Sequence, residues 1–327
     1  MTSKTRTLLG KGRRRISRTF SADEERGVTA EHWGEDAHER AESEDWQGLY
    51  WQSHELTQRH INRAIAGGTD ENWVDFTKRR FFPHPARIAL SLGCGYGVLE
   101  RHALSVDIAN RFEAMDLSPE AIDVARREAD AVRLGERVSY EARDLNSVQL
   151  NPGGYDAVFA VQTLHHIEAL EHLLDQIRRS LTDRGLLVVH EYVGPTRFQF
   201  PADRLPLMND LLLALPESHR RSLRTGHLKT EVLRPKEKEV YEVDPSESVR
   251  SDEIMGLIEE RFEIVYRADF GGTLLQFVLS DIAGNFDPAD PKDVAIIDLV
   301  CLYEKTLIDK GVLPSDFVYL VAQSRAE

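Results

Sequence analysis

Ala89-Leu90-Ser91-Leu92-Gly93-Cys94-Gly95-Tyr96-Gly97 is a short apolar run that breaks into glycines at every second position. The run suits a strand buried on both faces, and residues 97–105 beyond it carry helical spacing. A strand, a glycine turn and a helix in that order leave free backbone N–H groups at the helix start, where polar ligand groups gather. Without Cβ atoms, the turn lets a ligand approach the backbone closely. The spacing is Gly-x-Gly-x-Gly rather than the Gly-x-Gly-x-x-Gly that cradles dinucleotides, which points away from NAD and flavin.

Outward from this turn, strand and helix patterns alternate. Residues 87–92, 112–116, 138–142, 157–161 and 185–190 read as strands. Helical patterns stand at 97–105, at 119–134 with Ser118 as N-cap, and at 167–181. This order predicts an α/β fold: a doubly wound, mostly parallel Rossmann-like sheet with helices on both faces. Residues 262–267 and 317–322 add two strands, making a seven-stranded sheet. Further helices are expected at 207–215, 251–261, 271–286 and 294–307.

The texture divides the chain into five parts. Residues 1–45 read as a disordered arm, first basic and then acidic, and 1–30 are expected to be dispensable for folding. Residues 46–85 form an N-terminal helical segment, 86–194 the Rossmann-like core, and 195–250 a helical cap over the ligand edge of the sheet. Residues 251–327 complete the sheet with additional helices.

Composition narrows the function. Among 327 residues, 41% hydrophobic and 29% charged is the balance of a globular protein, and no run approaches the roughly 18 apolar residues of a membrane span. Cys94 and Cys301 are the only cysteines, which excludes a disulfide scaffold and a four-cysteine zinc site. No signal-peptide pattern is visible, so a cytoplasmic location is expected. The net charge of −14 disfavours a phosphate backbone as partner, so no nucleic acid is expected. The seven basic residues within 1–20 leave −21 on the rest. That arm reads as a disordered terminus before a tail for an acidic surface or a transit peptide. The sequence leaves open whether the chain forms a homodimer.

The glycine loop and the segments after it resemble the class I S-adenosylmethionine-dependent methyltransferases. Asp116 ends the second strand 19 residues past Gly97, where that family places an acid on the cofactor ribose. Asp144, in Arg143-Asp144-Leu145, follows the third strand, where the family sets an Asp on the adenine amino group. Tyr155–Ala160, Leu164-His165-His166-Ile167 and Leu181–Val188 continue the match in order. The resemblance covers residues 87–191. It implies S-adenosylmethionine as cofactor, held by Ser91, Gly93, Cys94, Gly95, Gly97, Asp116, Leu117, Asp144, Leu145 and Gln162. Ser91 departs from the pattern: many relatives have an acid there that helps hold the methionine end, so the amino group needs other partners. Asp183-Arg184-Gly185 replaces the frequent Pro-Gly turn.

Candidate chemistry lies at the carboxyl ends of strands four and five, the edge where such sheets bind ligands. His165, His166 and Glu191 are the catalytic candidates, because an imidazole suits removal of a hydroxyl proton as a methyl acceptor attacks. A cap or packing role competes for the His pair. Tyr192 and Arg197 are expected to bind the acceptor, with Glu191 beside them and a histidine on the opposite wall. No His/Cys spacing points to a metal. The reading is a methyltransferase acting on oxygen or nitrogen of a small molecule of glycan or natural-product type. A peptide or protein acceptor, a cofactor-binding protein without methyl transfer, and a nucleotide-binding module using the basic arm are the alternatives. The amine-reading Asn/Asp-Pro-Pro-Tyr/Phe loop is absent; Ala160-Val161-Gln162-Thr163 stands there.

Overall fold

A computed structural model describes residues 21–42 and 48–325. Seven strands form one sheet: β1 (Ala89–Leu92), β2 (Phe112–Asp116), β3 (Val138–Ala142), β4 (Tyr155–Val161), β5 (Leu181–Tyr192), β6 (Phe262–Gly271) and β7 (Phe317–Ser324). Their spatial order is β3-β2-β1-β4-β5-β7-β6. The first five pair in parallel, and β7 runs antiparallel to both β5 and β6. The sheet is therefore the expected one, closed by an antiparallel strand.

Helices before and within the parallel half are α1 (Ala22–Glu42), α2 (Glu55–Ile65), α3 (Trp73–Phe81), α4 (Val98–Ser105), α5 (Pro119–Ala131) and α6 (Leu170–Ser180). After β5 come α7 (Arg204–Ala214), α8 (Glu237–Val243), α9 (Ile254–Arg261), α10 (Leu275–Val278) and α11 (Pro291–Asp309). Local chemistry explains several starts. Ser118 accepts a hydrogen bond from the Ala121 N–H (3.3 Å), with Pro119 at the first helical position. Asn72 and Asp290 cap α3 and α11 in the same way. The helix expected over 271–286 shrinks to the short α10; Glu304 accepts from the N–H groups of Gly272, Leu274 and Leu275 at and just ahead of its first residue.

Side-chain alternation splits the core in two. Val318, Leu320 and Ala322 of β7 pack with α6 and α9, whereas Phe317, Tyr319 and Val321 pack with α2, α3 and α11. β1 is buried along its whole length, as the central strand of a doubly covered parallel sheet must be.

The N-terminal arm departs from expectation. Residues 1–20 lie outside the described residues, but 22–42, expected to be disordered, form α1. It packs along α5, and Gly34 lies so close that a Cβ there would be 3.0 Å from the Ser118 hydroxyl and the Glu120 Cβ. Its inward stripe is Thr29, Trp33, Gly34 and Ala37, which carries too little apolar surface to show as helical patterning. No helix among the described residues is long and apolar enough to cross a membrane.

Candidate active site

A cavity of about 980 Å³ opens over the carboxyl ends of β1, β2 and β4, where the strand order changes direction. Nine of the ten expected cofactor residues line it: Ser91, Gly93, Cys94, Gly95, Asp116, Leu117, Asp144, Leu145 and Gln162. Gly97 does not. A Cβ on Gly97 would strike the Tyr140 hydroxyl, so this glycine serves packing of α4, not the ligand. A Cβ on Gly95 would meet nothing within 4 Å, and its φ of +51° is a conformation that glycine adopts without strain. Gly95 is the point where the loop offers bare backbone to a ligand.

Asp116 holds this loop in place. One carboxylate oxygen accepts from the Gly95 N–H (2.8 Å) and the other from the Ser118 N–H (2.9 Å). Each oxygen keeps a second lone pair for a hydroxyl. Burial raises the Asp116 pKa, and the backbone N–H donors work against that rise. Asp144 accepts from the Asn146 backbone (2.9 Å) and faces Arg26 of α1 at 3.3 Å.

The opposite end is built around His165. Its Nδ1 meets a carboxylate oxygen of Glu191, and its Nε2 is 3.7 Å from Glu247. Glu191 is completely buried and does not line the cavity. Its second oxygen accepts from the N–H groups of Thr163 (2.7 Å) and Leu164 (2.6 Å), and the first also accepts from Tyr192 (2.7 Å). The expectation that Glu191 faces an acceptor is thereby corrected: its oxygens are spent on β4–α6 backbone and on His165. The two also share one wall rather than facing each other. Burial alone would lower the His165 pKa, but the Glu191 charge lifts it to about 9. The reverse holds for Glu191: burial pushes it up, and His165 with the N–H donors brings it below the usual carboxylate range.

His166 lies against the His165 ring, with centroids 4.1 Å apart, and bonds the Ser246 hydroxyl at 3.0 Å. Burial, with His165 adding to it, lowers its pKa. Trp33 of α1 meets it edge-on. Below it, Asp244 is almost fully buried and joins Thr29 (3.0 Å), Trp33 (3.1 Å) and Ser246 (2.8 Å). Ligating atoms of His165, His166 and Glu247 lie within 4.8 Å of one another, a grouping hidden in sequence by the roughly 80 residues before Glu247. Both imidazoles have a hydrogen-bond partner at Nδ1: Glu191 for His165 and Ser246 for His166.

Tyr192 and Arg197 both line the cavity, yet neither polar group is free for an acceptor in the expected way. The Tyr192 hydroxyl donates to Pro195 (3.0 Å), leaving its ring as the wall. The Arg197 guanidinium donates to the carbonyls of Pro245 (2.6 Å) and Glu247 (2.9 Å) and so pins the loop that presents Glu247. Trp33, Tyr50, Trp51, Phe198, Tyr241, Phe277 and Phe317 complete an aromatic surround. Arg26, Trp33, Asp244 and Glu247 escaped the sequence reading, because nothing local marks residues whose partners lie more than 75 positions away.

Residues 90–187 match the family model described as a methyltransferase domain. The 27-O-demethylrifamycin SV methyltransferase of Amycolatopsis mediterranei is 24% identical over 195 residues, covering 58% of this chain and 70% of that protein. A demethylmenaquinone methyltransferase of Bacteroides fragilis is 23% identical over 141 residues, covering 42% and 56%. The chain spans between 5% and 70% of the length of the curated relatives it matches. Among solved structures, a geranyl diphosphate C-methyltransferase from Streptomyces coelicolor A3(2) superposes with a TM-score of 0.52 at 12% identity, covering 93% of this chain and all of that one, which establishes the shared fold. Residues 90–187 thus carry a methyltransferase domain, for which S-adenosylmethionine is the cofactor. The site fits it: open backbone at Gly95, acceptor capacity on Asp116, and apolar walls from Leu117 and Leu145.

Proposed function

We propose that the protein transfers a methyl group from S-adenosylmethionine to an oxygen of a hydroxylated, largely apolar small molecule. The observation that carries this is the His165–Glu191 pair in the wall of an aromatic cavity. Gly95, Asp116, Asp144 and the walls at Leu117 and Leu145 would hold the cofactor. When bound, it supplies a methyl group on a positively charged sulfur, ready for in-line attack.

An uncharged amine brings a free lone pair to that attack, whereas a hydroxyl must shed its proton as the new bond forms. His165 is equipped for that proton. Glu191 fixes its ring and its tautomer through Nδ1, which leaves Nε2 on the cavity side next to Glu247. Glu191 is thus a positioning residue. His166, tied to Ser246 and Asp244, supports the ring stack from behind. Trp33, Tyr192, Phe198 and Phe277 exclude water and offer π-faces to a flat or hydrocarbon acceptor. The name of the Amycolatopsis relative, a methyltransferase of 27-O-demethylrifamycin SV, supports an oxygen acceptor.

The test is a panel of phenolic, enolic and aliphatic alcohols incubated with S-adenosylmethionine and read for a mass gain of one methyl. His165→Ala should lower turnover on the acceptor so found by about a hundredfold or more while S-adenosylhomocysteine affinity stays within about twofold. Unchanged turnover in that variant would remove His165 from the chemistry.

A further inference from the structure

Glu100 sits in the first turn of α4, three residues beyond the glycine loop. None of its surface is exposed, yet it belongs to the cavity wall together with Ser91, Cys94, Gly95 and Asp116. Neither of its carboxylate oxygens has a hydrogen-bond partner of normal geometry. A buried acid left without partners is costly to a fold, and such groups in clefts mark places where a ligand completes the arrangement. The Asp116 carboxylate, by contrast, is held by two backbone N–H groups.

The charged and titratable neighbours do not supply the missing cation. Arg101, next along α4, donates to the Tyr96 carbonyl at 2.6 Å. Asp116 faces the same space and its charge disfavours a second anion there, while Cys94 and Tyr140, kept protonated by burial, bring no positive charge. Burial lifts the Glu100 pKa to about 7, with the Ser91 hydroxyl pulling the other way. The empty partner position therefore calls for a positive group.

We propose that Glu100 binds the α-ammonium of the methionine moiety of S-adenosylmethionine, replacing the acid that many relatives carry at the position of Ser91. The inference rests on the cofactor reading above. It moves the anionic anchor from the end of β1 to the first turn of α4, with Ser91 left as a neutral neighbour. Because Glu100 gives up a proton to form this pair, affinity for the amino-acid end falls as pH drops below about 7.

The test is calorimetric, on the full chain, with two ligands. S-adenosylhomocysteine has the amino-acid end; 5′-methylthioadenosine keeps the nucleoside and sulfur without it. E100Q should bind S-adenosylhomocysteine about tenfold to a hundredfold more weakly at pH 8, while methylthioadenosine affinity stays within about twofold. The S91D/E100Q double variant should regain affinity for S-adenosylhomocysteine. E100Q should also melt no lower than the wild type at pH 8, since it removes a buried charge, which separates a binding loss from misfolding. Equal loss for both ligands, or no loss for S-adenosylhomocysteine, overturns the role of Glu100. A wild-type protein that binds neither ligand overturns the cofactor reading itself, and the Glu100 proposal falls with it.

Discussion

The His165 imidazole has a carboxylate at each nitrogen: Glu191 in contact with Nδ1, and Glu247 at 3.7 Å from Nε2. Asp244 raises the pKa of both rings, whereas the His165 charge adds to burial in lowering that of His166. Since His165 must be neutral to accept a proton, kcat/KM should rise with pH and level off above about 9. Glu191→Gln removes the charge responsible, so burial then dominates. The limb should move to lower pH, with a lower plateau because the ring is less firmly oriented. A pH–rate profile of the two proteins checks this; identical limbs would mean that Glu191 does not act through His165. The stability link has its own sign. A raised histidine pKa adds stability that is complete below the ordinary value of 6.5 and is lost as pH rises through about 9. Sequence reading reached His165, His166 and Glu191 as candidates, because each follows a strand end. Their division of labour was invisible, since Glu191 differs from an acceptor ligand only by which backbone N–H groups turn toward it.

Among the elements, α1 departs most from what patterning shows. Its buried stripe is threonine, glycine and alanine around one tryptophan, so no run of apolar residues announces it. What holds it is polar and distant: Thr29 and Trp33 on Asp244, Glu25 on the Tyr241 hydroxyl, Arg26 on Asp144. A chain starting at Glu31 was expected to melt unchanged; with α1 packed, it should melt lower by a few degrees. Loss of Thr29 removes a buried hydrogen bond to a carboxylate, worth about 1.5–3 kcal/mol. Thermal unfolding of the truncated and full chains measures this directly, and equal midpoints would show that α1 adds nothing to the fold. The strands were easier to read than α1, because burial on both faces writes them as continuous apolar runs such as 185–190. The antiparallel direction of β7 was not readable, since an apolar strand has the same pattern in either direction.

At the scale of the whole molecule, the sheet contributes one half of the cavity and the segments flanking the core the other. The glycine loop, Asp116 and Asp144 come from the parallel half, while α1, the 195–250 segment and the chain around Phe277 and Phe317 line the part that we propose takes the acceptor. The cofactor half was legible because its residues follow one another in register along the chain. The acceptor half was not, because residues from Glu25 to Phe317 meet there only after folding. This division predicts that the two halves can be disabled separately, as His165→Ala and E100Q are designed to do. The central claim is that this cavity binds S-adenosylmethionine on Asp116. Titration of S-adenosylhomocysteine into the wild-type protein and Asp116→Ala tests it most directly. One ligand should bind per wild-type chain, and the variant should bind at least about tenfold more weakly, because charge-assisted hydrogen bonds to the ribose are lost. Absence of binding to the wild type, or equal affinity in the variant, would contradict the account.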